Sequence, residues 1–141
     1  MKPTHHALIS GGLAAALIAY SKSWGAGLAC FLSGVFIDLD HVPEFMFFRR
    51  KIFFSFEELW NYWGIRDRGQ AFLPLHAWEW LMILWYFIFT MKLNMVWVGL
   101  GVGITVHLIC DQIFNPLVPG FYFLWFRMKH NFERKRLYIQ T

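Results

Sequence analysis

Charge is scarce in this chain. Asp, Glu, Lys and Arg make up 16% of its 141 residues, against about a quarter in a typical soluble domain. Cysteine is scarcer still. Cys30 and Cys110 both lie in apolar runs, and neither has a Cys-x-x-Cys partner. That argues against a disulfide framework or a cysteine metal pair and leaves them as small core residues. No Gly/Ser-rich linker, low-complexity tract or internal repeat divides the sequence, so a single domain over 1–141 is expected. The first apolar run also lacks a clear small-x-small cleavage site, and His5 and His6 stand where a signal peptide would be bland. It is read as a retained helix.

What the chain does have is apolar and aromatic surface. Apolar residues make up 57% and aromatics 21%, with 8 Trp and 16 Phe. A soluble protein this small could not hide so much apolar area, and Trp and Tyr favour membrane interfaces. The expected fold is all-α: a polytopic membrane helical bundle of about four transmembrane helices with interfacial helices. The spans fall at about 4–20, 24–37, 75–91 and 95–114. Thr4 is a plausible N-cap of the first, and Asn115-Pro116 ends the last. Small residues in the first two, among them Gly11, Gly12, Gly27 and Gly34, suit close helix packing. The second segment is short for a full span, which leaves room for a homo-oligomer that shields it. Residues 44–70 and 119–136 alternate aromatic and basic blocks and read as interfacial segments lying on the membrane.

The net charge of +4 sits beside apolar segments, so anionic lipid headgroups are the expected partner and nucleic acid is not. When the loops are numbered by alternation, 11 of the 13 Lys and Arg fall on one side, with only Lys22 and Lys92 on the other. The positive-inside rule then predicts a multi-pass protein with both termini and the long loop in the cytoplasm.

Ionisable residues in apolar segments are costly to bury and are functional candidates by default. His5 and His6 start the first span; Asp38, Asp40 and His41 end the second; His76 and Glu79 start the third; His107 and Asp111 end the fourth. Alternation places all four of these ends on the cytoplasmic side, and no His, Asp or Glu stands near the opposite ends. In a bundle these groups would form one layer. His107 and Asp111 at i, i+4 share a helix face, as do His76 and Glu79 at i, i+3. Asp38 and His41 share one if the helix continues that far, with Asp40 pointing elsewhere. Each piece also has a plain reading: a cap, a local turn or a buried hydrogen-bonded pair. Together, imidazole and carboxylate suit zinc, manganese or iron. The set exceeds the ligands one zinc needs, so two or more ions, or one with a rich outer shell, are expected.

Four stretches carry a family resemblance: Thr4-His5-His6-Ala7-Leu8; Ile37-Asp38-Leu39-Asp40-His41-Val42-Pro43; Leu75-His76-Ala77-Trp78-Glu79; and Val106-His107-Leu108-Ile109-Cys110-Asp111 followed by Asn115-Pro116. The chain resembles the YdjM-like family of bacterial inner-membrane, metal-dependent hydrolases, itself similar to zinc-dependent phospholipase C. The resemblance implies metal ligation by Asp38, Asp40, His41, His76, His107 and Asp111, with one of His5 or His6. The family's His-Arg-Gly-x-x-His-Ser pattern reads here as Asp67-Arg68-Gly69, with His76 several residues late. One ligand is therefore lost, replaced by Asp67, or supplied by Glu79.

The implied activity is metal-assisted hydrolysis of a phosphoester in a lipid or lipid-linked substrate at the cytoplasmic face. Glu79 or Asp40 is the expected general base. Arg66 and Arg68 either grip the substrate phosphate or contact lipid headgroups. The alternative is a non-catalytic metal-binding or metal-transport protein. Transport is disfavoured because no polar ladder leads to the far side. Haem ligation is disfavoured by the paired carboxylates, and desaturase chemistry by the absence of His-x-x-x-His sets.

Overall fold

Ser23 and Asn94 set where two long apolar helices begin. Ser23 Oγ accepts the Ala26 amide at 3.2 Å and Asn94 Oδ1 accepts the Val96 amide at 3.1 Å, each satisfying a backbone donor the first turn leaves over. A computed structural model describes residues 3–50, 52, 55–63 and 69–139 of the chain. Among them the order is α1 (Pro3–Ser21), α2 (Trp24–Phe36), a 3-10 turn (Ile37–Asp40), α3 (His41–Arg49), α4 (Phe56–Trp63), α5 (Trp78–Thr90), α6 (Met95–Phe114), α7 (Leu124–Lys129) and α8 (Arg134–Leu137). No strand occurs among the described residues; the only β pairing is two isolated bridges, Gln70 with Glu133 and Leu117 with Tyr138.

Among the described residues two helical runs are long and apolar enough to cross a membrane: Trp24–Phe47, of 24 residues, and Met95–Phe114, of 20. The first of these corrects an expectation. The helical run does not stop near Ile37 but continues through the 3-10 turn into α3. The third segment is corrected the other way. It starts at Trp78 rather than Leu75 and has 13 residues, about 20 Å of helix where the hydrocarbon core is about 30 Å.

The chain divides into two compact units. The first, Met1–Ile37 with Trp78–Asn115, contains α1, α2, α5 and α6. Its closest packing is α2 against α6, and small residues make it possible. A Cβ on Gly99 would collide with the backbone of Ala26, and one on Gly103 with the Cys30 carbonyl and Ser33 Oγ. At that separation Ser33 Oγ donates to the Leu100 carbonyl across the interface at 3.0 Å. Between α5 and α6, Trp85 Nε1 donates to Thr105 Oγ1 at 3.1 Å.

The second unit is Asp38–Ala77 with Pro116–Thr141. Ser55 and Glu58 form a reciprocal capping box at the start of α4, at 3.2 and 3.1 Å. Phe45, Leu59 and Tyr62 form a small core between α3 and α4; such burial stabilises by about 1.5–3 kcal/mol per large side chain. The tail is tied back on itself and buries two of its basic residues. Val118 donates to Leu137 O and Ile139 to Pro116 O, both at 3.1 Å, and Arg127 and Arg134 are 0% and 1% exposed.

Candidate metal site

The ionisable residues singled out by the sequence fall into both units. In the first, α1 and α6 bring His6, His107 and Asp111 together. His6 Nε2 lies 3.0 Å from Asp111 Oδ1, and His107 Nε2 lies 3.5 Å from Asp111 Oδ2. The two imidazoles stack at 3.9 Å. His107 Nδ1 is 2.8 Å from the Gly34 carbonyl. A carbonyl only accepts, so Nδ1 carries the hydrogen. The other nitrogen, Nε2, then faces the Asp111 carboxyl group. A backbone carbonyl on one ring nitrogen with the other aimed at the site is a common setting for a metal-ligating histidine. A Cβ on Gly34 would collide with Ser10 Oγ of α1 and crowd the Gly103 carbonyl of α6, so glycine is what lets both helices close on this part of α2.

His5 and His6 were interchangeable in the sequence. The structure turns His6 inward, at 2% exposure, and leaves His5 on the exposed face of α1.

In the second unit the 3-10 turn sets the geometry. With three residues per turn, positions i and i+3 lie one above the other, and His41 Nε2 comes within 3.8 Å of Asp38 Oδ1. Asp40 was expected to point elsewhere but does not. Its Oδ2 accepts the Leu75 amide and lies against His76 Nδ1, both at 3.0 Å. His76 Nε2 lies 3.3 Å from Asp38 Oδ1, so this ring bridges two carboxylates. Asp40, His41 and His76 each offer a ligand atom, all within 4.8 Å of one another.

Two features of this set suit a cation. Asp40 Oδ1 is buried with no hydrogen-bond partner among the described residues, and an unsatisfied buried carboxylate oxygen is costly. Asp38 and His41 keep 19% and 17% side-chain exposure, whereas His76 keeps 1%, so solvent reaches the set from one side. Burial alone would push the His76 imidazole down, but Asp38 and Asp40 outweigh it and hold the ring up at about 10.

Glu79 does not share a helix face with His76. The helix begins at Trp78, leaving His76 in the preceding turn, and Glu79 stands half-buried on the first turn of α5. It belongs to neither group of possible metal ligands found among the described residues. Arg66, Asp67 and Arg68 lie outside the described residues.

Three buried charges around this set were read from the sequence only as parts of interfacial segments. Glu44 is 4% exposed, and its two oxygens accept from the Phe72 amide at 3.0 Å and Arg134 Nη2 at 3.3 Å. Arg134 also donates to Gln70 O and Tyr62 O, and Arg127 donates to Phe72 O, Leu73 O and His76 O. In sequence they are one acid after a His-x-Pro and two members of a basic run, with no signal that separates them from their exposed neighbours. No protein-family model, curated protein or solved structure matches this chain.

Proposed function

We propose that the chain is a membrane-embedded metal-binding protein whose metal serves hydrolysis of a phosphoester, carried by a lipid or lipid-linked substrate at the cytoplasmic membrane surface. The observation that carries the metal reading is the Asp40–His41–His76 set: three donor atoms within 4.8 Å, one of its carboxylate oxygens buried without a hydrogen bond. A donor set of imidazole and carboxylate suits zinc, with manganese or iron as alternatives. His6, His107 and Asp111 are a further set of the same chemistry, so two or more ions are proposed. The family resemblance and the apolar helices support the bacterial inner membrane as the location, with both termini cytoplasmic.

When bound, the metal would supply Lewis-acid activation of water and of a phosphoryl oxygen. The chain's own residues supply the rest. Asp38 and His41, the partly exposed members, would stand nearest an incoming substrate. Asp40 orients His76 through Oδ2 and leaves its buried Oδ1 to face the metal. The second reading is metal binding without catalysis.

The test is metal content by mass spectrometry on detergent-purified, untagged protein. About two equivalents of zinc, manganese or iron are expected in the wild type. A folded His107→Ala/Asp111→Ala variant and a folded Asp38→Ala/His76→Ala variant are each expected to lose metal. A folded wild type that neither carries nor takes up metal rejects the reading. Loaded protein that is inert across a phosphoester panel leaves the binding reading.

A further inference from the structure

The turn that carries His76 has almost no regular structure of its own, so its backbone groups must be satisfied from elsewhere. Residues 70–76 make only one short backbone bond within the turn that reaches His76 itself, from its amide to Leu73 O at 3.2 Å. Leu73 adopts φ +31°, a region that a branched side chain rarely occupies and keeps only when its surroundings impose it. What lies against that strained residue is Arg127. Its guanidinium is 0% exposed and donates to Phe72 O at 2.9 Å, Leu73 O at 2.8 Å and His76 O at 2.9 Å. The Phe121 ring lies under it, 5.7 Å from Cζ. A planar fork with five donors can hold three carbonyls spread over five residues; a lysine ammonium is a compact point charge and cannot match that spread.

We propose that Arg127 is a positioning residue for the metal site. By holding the 72–76 turn, it presents His76 to Asp38 and Asp40. This inference rests on the metal-binding reading above and assigns to the C-terminal segment a part in building the site. Arg134 is the natural control. It is equally buried, but its bonds go to Gln70 O, Tyr62 O and Glu44 Oε2, none of them on the His76 end of the turn.

The experiment is cobalt(II) titration of metal-free, detergent-purified protein, reading visible absorption and affinity together with helix content. Arg127→Lys is expected to weaken cobalt binding about 10–100-fold, the usual cost of losing an outer-shell partner. It should also shift the cobalt absorption bands while helix content is unchanged. Arg134→Lys, whose partner Glu44 lies 3.6 Å from His41 Nδ1 and not against His76, is expected to lower the melting temperature and to move the bands less than Arg127→Lys does. A folded Arg127→Lys protein with wild-type affinity and bands overturns the proposal. If Arg127→Lys does not fold, hydrogen exchange of the wild type decides. Equal protection of the 71–76 amides with and without cobalt supports a turn already held in place, and protection that appears only with cobalt overturns it. A wild type that takes up no cobalt overturns the metal reading itself, whereas a loss confined to the Arg127 variant leaves that reading standing.

Discussion

His76 uses both ring nitrogens at once, and that sets how the site responds to pH. Nδ1 faces Asp40 and Nε2 faces Asp38, which hold the ring up at about 10, above the 6.5 of an unperturbed histidine. The ring stands in the turn before α5, outside the apolar helices. A folded value above the unfolded one gives stability that is fully present below 6.5 and is lost as pH rises through about 10. The melting temperature of chelator-treated protein is therefore expected to fall as pH is raised across that window, and the fall should shrink in His76→Gln. Metal uptake should run the opposite way. A metal that takes this nitrogen must displace its proton, so affinity is expected to rise by up to about tenfold per pH unit over the same window. A metal affinity that does not change with pH would remove His76 from the ligand set.

The α2–α6 interface links packing to the site. Gly99 and Gly103 meet α2 where a side chain has no room, and one turn beyond Gly103 stands His107, whose Nδ1 donates to the Gly34 carbonyl. Gly99→Ala and Gly103→Ala are each expected to cost about 1–3 kcal/mol, because the obstacle is backbone that cannot swing aside. Gly12→Ala, which would meet nothing within 4 Å, serves as the neutral comparison. Gly103→Ala should also weaken metal uptake more than Gly99→Ala, since it would lengthen the His107 bond. Equal melting temperatures for all three variants would contradict the close packing described here. These elements were largely legible in the sequence because their signals are local. Asn115-Pro116 was read as the end of the fourth segment, and α6 does run from Met95 to Phe114; the caps Ser23 and Asn94, which are equally local, were not singled out. The start of α5 was misplaced because Pro74 was read as the residue before a helix, whereas residues 73–77 form the turn that carries His76. Arg127, Arg134 and Glu44 were missed for a related reason. Their partners are backbone carbonyls, a backbone amide and, for Arg134 and Glu44, each other, 28–90 residues away, and no pattern along the chain distinguishes a buried guanidinium from a solvated one.

Over the whole molecule the question is what covers the apolar surface. A core helix of a soluble protein is mostly buried, yet only 33% of the apolar window in each of the two long helices is buried inside the chain. Large side chains stand open elsewhere in the apolar helices, among them Leu8 at 75%, Trp24 at 79% and Phe89 at 72%. In water such surface drives aggregation; in lipid it is the ordinary outer face of a helix. The alternation expected from the sequence would set Lys22 and Lys92 apart from the other 11 basic residues. In a Cys30→Ala, Cys110→Ala background, Lys22→Cys and Lys92→Cys are expected to react with a membrane-impermeant maleimide added to intact cells. Lys135→Cys should react only after the membrane is opened. Labelling of Lys135→Cys from outside would invert the topology and move the proposed chemistry to the opposite face. Release of the protein by alkaline carbonate without detergent would mean that it does not span the membrane, and the lipid-borne substrate would lose its main support. The expected pattern would place Lys22 and Lys92 across the membrane from the C-terminal segment, whose Arg127 holds the turn that carries His76.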